Sequence, residues 1–263
     1  MLKYLVSGLL ALSTMAHAKT FAPEATNTTD HNKPALGTIV INNDVIVLRG
    51  EVNGSSVSRV IAGIFSAPGN SVTLFIDSPG GSIIDGMQMV EAIKSTNKKV
   101  TCVVSFGASM AFWTTQACDE RVIMPNGVLM QHLASVGTRG NLPNVNNFMG
   151  LMNRIVEVGE KFQAERIGIS VEQFKKNVAN DWWLLGEDAV KAGAADRVAP
   201  VTCTPDAIAK KVQEKIMTMF GPIDVTWSGC PLLGFPLDVK GELTSDQYNK
   251  VFNFREVLMQ GKK

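Results

Sequence analysis

Three short stretches of the sequence carry residue types suited to acyl-transfer chemistry. Ser105-Phe106-Gly107-Ala108-Ser109-Met110-Ala111 sets a serine at the mouth of a helix after a small-residue turn, close to the positive end of the helix dipole and clear of bulky neighbours that would block a carbonyl. Asp77-Ser78-Pro79-Gly80-Gly81-Ser82 carries two glycines whose backbone freedom can turn amide N–H groups toward an oxyanion. Met130-Gln131-His132 ends on an imidazole. A hydroxyl is a poor nucleophile until a base takes its proton, and His132 is suited to do that for Ser109 and then to protonate the leaving group. Each stretch also has a plain reading: an N-cap serine, a Gly-Gly turn, a buried hydrogen-bonded histidine. Their coincidence favours the chemical one.

The histidine count sharpens that coincidence. The chain has 263 residues and only three His. His17 falls in an N-terminal segment (1–18) with a cation at Lys3, an apolar run from Leu5 to Leu12 and an Ala16-His17-Ala18 cleavage layout, which reads as a secretory signal cut near Ala18. That run is far shorter than the roughly 20 residues that span a bilayer, so no stable membrane anchor is expected. His31 lies in a Thr-, Asn- and Pro-rich stretch (19–35) without periodicity, which reads as a flexible leader. Only His132 is left for the folded part.

These residues must be held by a scaffold, and the patterning indicates which kind. Thr38–Ile41, Val45–Leu48, Val72–Ile76, Val100–Val104, Arg121–Met124 and Val128–Met130 read as short strands. Val57–Ser66, Ile83–Lys94 and Met110–Gln116 read as helices between them. This alternation predicts an α/β fold with a mostly parallel sheet, whose strand-to-helix loops gather ligands and catalytic groups. The three chemical stretches lie on such loops. A long helical pattern, Leu142–Gly168, carries Phe148, Leu151, Met152, Ile155, Val158 and Phe162 on one stripe. Beyond Thr202, Thr204-Pro205-Asp206 opens an amphipathic helix expected to run to Phe220 and to stop at Gly221-Pro222, and Thr244–Gln260 again looks helical.

Composition removes other classes. With 25 basic and 24 acidic side chains and no cationic block, the chain has no footprint for nucleic acid. Three His and four Cys leave little material for a metal site, and no cofactor is expected. In an exported chain the cysteines tend to pair. Of the three pairings that four Cys allow, Cys102 with Cys118 and Cys203 with Cys230 is favoured, the second closing a loop of about 28 residues.

From Val45 to Val198 the sequence resembles the Clp protease proteolytic subunit (ClpP) family of the ClpP/crotonase fold. The resemblance rests on Val45-Ile46-Val47-Leu48-Arg49-Gly50-Glu51-Val52, Ile76-Asp77-Ser78-Pro79-Gly80-Gly81-Ser82, Gly107-Ala108-Ser109-Met110, Leu129-Met130-Gln131-His132, and Asp181-Trp182-Trp183-Leu184 leading into Glu187-Asp188-Ala189-Val190-Lys191-Ala192-Gly193. It implies a repeated ββα superhelix over 36–201 and a "handle" helix at about 144–168; beyond 201 the chain leaves the family's pattern, and 202–263 reads from its own patterning as a small, mainly helical extension. The resemblance implies a serine endopeptidase with Ser109 as nucleophile, His132 as base, Asp181 as third triad member, and the backbone amides of Gly81 and Met110 as oxyanion donors. It also implies a homo-oligomeric ring, heptameric or stacked. The signal segment points to a secreted or periplasmic enzyme without ATP-driven unfoldase support, acting on peptides or unfolded proteins. Competing readings are a signal-peptide-peptidase-A-like Ser–Lys hydrolase, a crotonase-type acyl-CoA enzyme and a non-catalytic ring-forming scaffold.

Overall fold

Continuous apolar strands require cover on both faces, and the computed structural model, which describes residues 37–259, supplies it. Strands β2 (Ile46–Arg49), β3 (Ser71–Ser78), β4 (Lys99–Ala108) and β5 (Glu120–Gln131) run parallel in that order. Strand β6 (Trp182–Leu185) adds antiparallel to β5, and β7 (Arg197–Val198) pairs with the start of β5. Helices α1 (Gly54–Ser66), α2 (Ile83–Ser95) and α3 (Met110–Gln116) are the crossovers. They cover one face, where Leu48, Leu74, Ile76, Met89, Val104, Phe112 and Ile123 form the main core. Phe75, Val103 and Val122 point the other way, as the two-residue period of a strand demands. They pack with Ile41 of β1 (Ile39–Ile41), which pairs in parallel with β8 (Val201–Cys203) over that second face. The α/β class with a mostly parallel sheet is as expected.

The last strand-helix units position the site. The two short strands read at Arg121–Met124 and Val128–Met130 are one strand, β5, whose ladder with β4 jumps from Val104/Ile123 to Phe106/Val128. Helix α4 (Leu142–Ile167) follows, started by the Asn141 side chain and ended by Gly168 at φ 85. Helices α5 (Val171–Val178) and α6 (Glu187–Lys191) flank β6. Arg121, 3 % exposed, fixes the return of the chain: it donates to Asp196, Gln116 Oε1 and Gly193 O. Burial pushes the Asp196 carboxyl upward, but the hydrogen bonds and charge of Arg121, with Arg166, outweigh that and hold it below its ordinary range.

The extension departs from expectation. The helix expected from Thr204 to Phe220 stops after one turn, α7 (Pro205–Ala209), and the chain becomes strand β9 (Lys211–Thr218). This turns back at Met219 and Phe220 into β10 (Gly221–Ser228), with β11 (Asp238–Lys240) on its other edge. The helical pattern after Thr244 divides at Asn253 into α8 (Ser245–Phe252) and α9 (Phe254–Met259). The extension is therefore a three-stranded antiparallel sheet with short helices, its core made by Ile223, Val225, Trp227 and Phe252. The described residues form one compact unit, with the extension packed on the body. Cys102 lies bonded to Cys118, and Cys203 to Cys230. No helix among the described residues is long and apolar enough to cross a membrane. The signal segment and leader, with His17 and His31, lie outside the described residues.

Candidate active site

Ser109 closes β4 and opens α3, and its backbone takes φ 54, a region that non-glycine residues rarely enter. It stands at the N-cap position yet makes no side-chain capping bond, so the plain N-cap reading fails. Its hydroxyl is turned to His132 instead: Oγ and Nε2 lie 2.8 Å apart. The sheet brings this about. Ala108 and Met130 are register partners on β4 and β5, and the Ser109 N–H donates to Met130 O at 2.9 Å, so the residues that follow each strand end meet.

The loop after β3 lies against the same point. Gly80 and Gly81 take φ 86 and 149. A Cβ on Gly80 would come within 2.5 Å of Ala108 O and 2.7 Å of the Met110 nitrogen, and one on Gly81 within 2.4 Å of Val52 O. Only glycine permits this approach. The loop is strapped by Val52 N–H to Gly80 O and Ser82 N–H to Val52 O, both 2.8 Å, and by Gly80 N–H to Ser78 Oγ at 3.1 Å. The backbone N–H groups of Gly81 and of Met110, the first residue of α3, donate to no protein acceptor among the described residues.

His132 is steadied through its backbone. Its N–H donates to Gln131 Oε1 at 3.0 Å, Gln131 Nε2 donates to Gln163 Oε1 at 2.5 Å, and Gln163 Nε2 donates to Gly159 O at 3.0 Å. Both glutamines are buried, and buried amides without partners would be costly, so α4 and the end of β5 are tied together. A pocket beside the serine is lined by Ser109, Met110, Trp113, His132, Glu160 and Phe174. Glu160 pairs with Lys175 at 3.2 Å.

Asp181 is not in contact with the imidazole. It is exposed at φ 53, and its carboxylate makes no hydrogen bond among the described residues. The β5–β6 ladder ends at Gln131/Trp182, so continuing it one step sets His132 opposite Asp181. The two are cross-strand neighbours whose side chains do not meet.

The glutamine relay was not read from the sequence, although a glutamine among the apolar residues of a helix is a visible signal. Nor was a charged cluster at the roots of the Gly80-Gly81 and Ser109 loops: Asp77, 2 % exposed, with Arg255 from α9 and Arg49 nearby. Burial pulls the Arg49 pKa below its usual value, Asp77 and Glu214 oppose that shift, and Arg255 adds to it. Residues 31–202 match the Clp protease family model.

Proposed function

The chain belongs to the Clp protease family of serine peptidases, whose members form oligomeric rings, and we propose that it is a serine endopeptidase acting through Ser109, His132 and Asp181. The observation that carries this reading is the 2.8 Å contact between Ser109 Oγ and His132 Nε2. As Oγ bonds to the scissile carbonyl carbon, Nε2 takes its proton and the carbonyl oxygen becomes an oxyanion. The unpaired N–H groups of Gly81 and Met110 stabilise that charge, each worth about 3 kcal/mol in the transition state. The imidazolium then gives its proton to the leaving amine, the C–N bond breaks and Ser109 is left acylated. Water, deprotonated by His132, releases the acid and restores the serine. Asp181 serves by turning onto Nδ1 from across the ladder, fixing the tautomer and stabilising the imidazolium.

The enzyme works as a homo-oligomer in an oxidising, exported compartment, on peptides or unfolded chains and without an ATP-driven unfoldase. The two cysteine pairs support that compartment. A fluorophosphonate probe and a fluorogenic peptide test the reading. Wild type is expected to take label on Ser109 and to cleave, and Ser109→Ala to lose the label and about 10⁴-fold or more of kcat while assembling normally. An unlabelled, inert wild-type oligomer overturns it in favour of a non-catalytic ring.

A further inference from the structure

The ladders that β4 makes with β3 and with β5 both break at one residue, Ser105. Pairing of β3 with β4 jumps between Ile76 and Asp77, and β4 leaves Ser105 unpaired against both β3 and β5. A bulge of this kind re-aims everything beyond it. Beyond Asp77 come Ser78 to Gly81, and beyond Ser105 come three residues and then Ser109. Arg255 bridges the bulged Ser105 and Asp77, the β3 residue beside it. Its Nε and Nη2 donate to Asp77 Oδ1 at 3.0 and 2.6 Å, and Nη2 also donates to Ser105 Oγ at 2.9 Å. Phe254 beside it sets its ring edge-on to Phe106 at 5.8 Å, and the guanidinium carbon lies 5.7 Å from the centre of the same ring. Arg49, the other guanidinium near Asp77, is turned to Pro231 O and to the face of Trp227. Arg255 is therefore the hydrogen-bonded cation of this buried carboxylate among the described residues.

We infer that Arg255, carried in by the C-terminal extension, is a positioning residue for the reaction: it locks the Ser105 bulge of β4 to Asp77 of β3, and so holds Ser109 and the Gly80-Gly81 loop aimed at one another. The inference rests on the peptidase reading above. An arginine suits the task because its planar fork serves two acceptors at once, which a lysine ammonium does only loosely. Displacing a catalytic loop by about 1 Å costs on the order of 10²-fold in rate, so the effect belongs in kcat per competent site.

The test compares the full-length wild type with Arg255→Ala, Arg255→Lys and Ser105→Ala, counting competent sites by fluorophosphonate titration and measuring kcat and KM on a peptide. Arg255→Ala is expected to lower kcat per titrated site about 10- to 100-fold with KM within about twofold. Arg255→Lys should fall between it and wild type, and Ser105→Ala should lose a few-fold. If Arg255→Ala lowers only the number of titratable sites, or changes only KM, its role is structural and the inference is overturned. Should Arg255→Ala fail to fold, the other two variants decide, and wild-type kcat in both overturns it equally. A wild type that neither labels nor cleaves overturns the peptidase reading, and this inference with it. An active wild type beside an unimpaired Arg255→Lys and Ser105→Ala overturns this inference alone.

Discussion

Ser109 holds a backbone conformation that costs a non-glycine residue roughly 1–3 kcal/mol. The cost is sustained because the Met130 carbonyl and the tight Gly80 contact leave the chain no other path. Ser109 and His132 could be singled out in the sequence because the chain has only three histidines, of which His132 alone lies among the described residues; Ser82 also stands between a small-residue turn and a helix, but there the hydroxyl caps α2. The state of Asp181 could not be read in that way. Its place on the ladder follows from the strand pattern, but whether its carboxylate faces the imidazole depends on a side-chain torsion and a positive φ that no spacing encodes. Asp181→Ala tests the proposed third role. Loss of the orienting carboxylate should lower kcat by about 10³- to 10⁴-fold with little change in peptide KM. A loss below tenfold, measured on the assembled protein, would mean that Ser109 and His132 work as a dyad.

At the level of elements, the strands and crossover helices of the body were legible because burial on both faces leaves continuous apolar runs such as Leu74-Phe75-Ile76. Lys211–Thr218, expected as helix, is instead strand β9. Lys, Gln, Glu and Met are good helix formers, yet eight register pairs with β10, four of them to its β-branched or aromatic Ile223, Val225, Thr226 and Trp227, overrode that preference. Helix α4 shows a subtler difference. Its length was legible, but its apolar stripe coincides only in part with its buried face: Met152, Ile155 and Phe162 pack inward with Gly159, Gln163 and Ile167, while Phe148, Leu151 and Val158 are exposed. Two glycines of this helix should respond to alanine with opposite signs. At Gly150 the nearest atom to an added Cβ is Arg154 Nη1 at 3.9 Å, so Gly150→Ala should stabilise by up to about 1 kcal/mol through helix propensity. At Gly159 the added carbon would sit 2.3 Å from the Trp113 ring, so Gly159→Ala should destabilise by about 1–3 kcal/mol. It should also raise KM, because Trp113 lines the pocket beside Ser109. Thermal unfolding and peptide kinetics on the two variants check this, and equal stabilisation by both would show that α4 yields freely at Gly159.

Over the whole molecule, the question is how firmly the extension is held, since it delivers Arg255 to the catalytic loops. Besides Arg255 and the Phe254–Phe106 contact, the attachments include the Cys203–Cys230 bond to the end of β8, the Arg59–Glu214 pair at 2.6 Å, Lys210 Nζ donating to Asn43 O at 2.9 Å, and Arg49 on Pro231 and Trp227. Arg59 is 44 % exposed, so its pair adds at most about 1 kcal/mol. The cysteine bond closes a separation of 27 residues and contributes about 3–4 kcal/mol in the chain-entropy picture, which makes it the strongest single tie. The pairing suggested from cysteine spacing thus matters for more than the compartment, because the chain it fastens leads to α9. Replacing both partners, Cys203→Ser with Cys230→Ser, should lower the melting temperature by several degrees. It should lower kcat less than Arg255→Ala does, because Arg49 and the buried Asp77 still draw the extension home. Mild reductant should reproduce both effects in wild type and leave the double variant unchanged. Cys102 and Cys118, both buried in the body, should reduce more slowly. A double variant with wild-type melting temperature and kcat would mean that packing of Trp227 and Phe254 alone holds the extension in place.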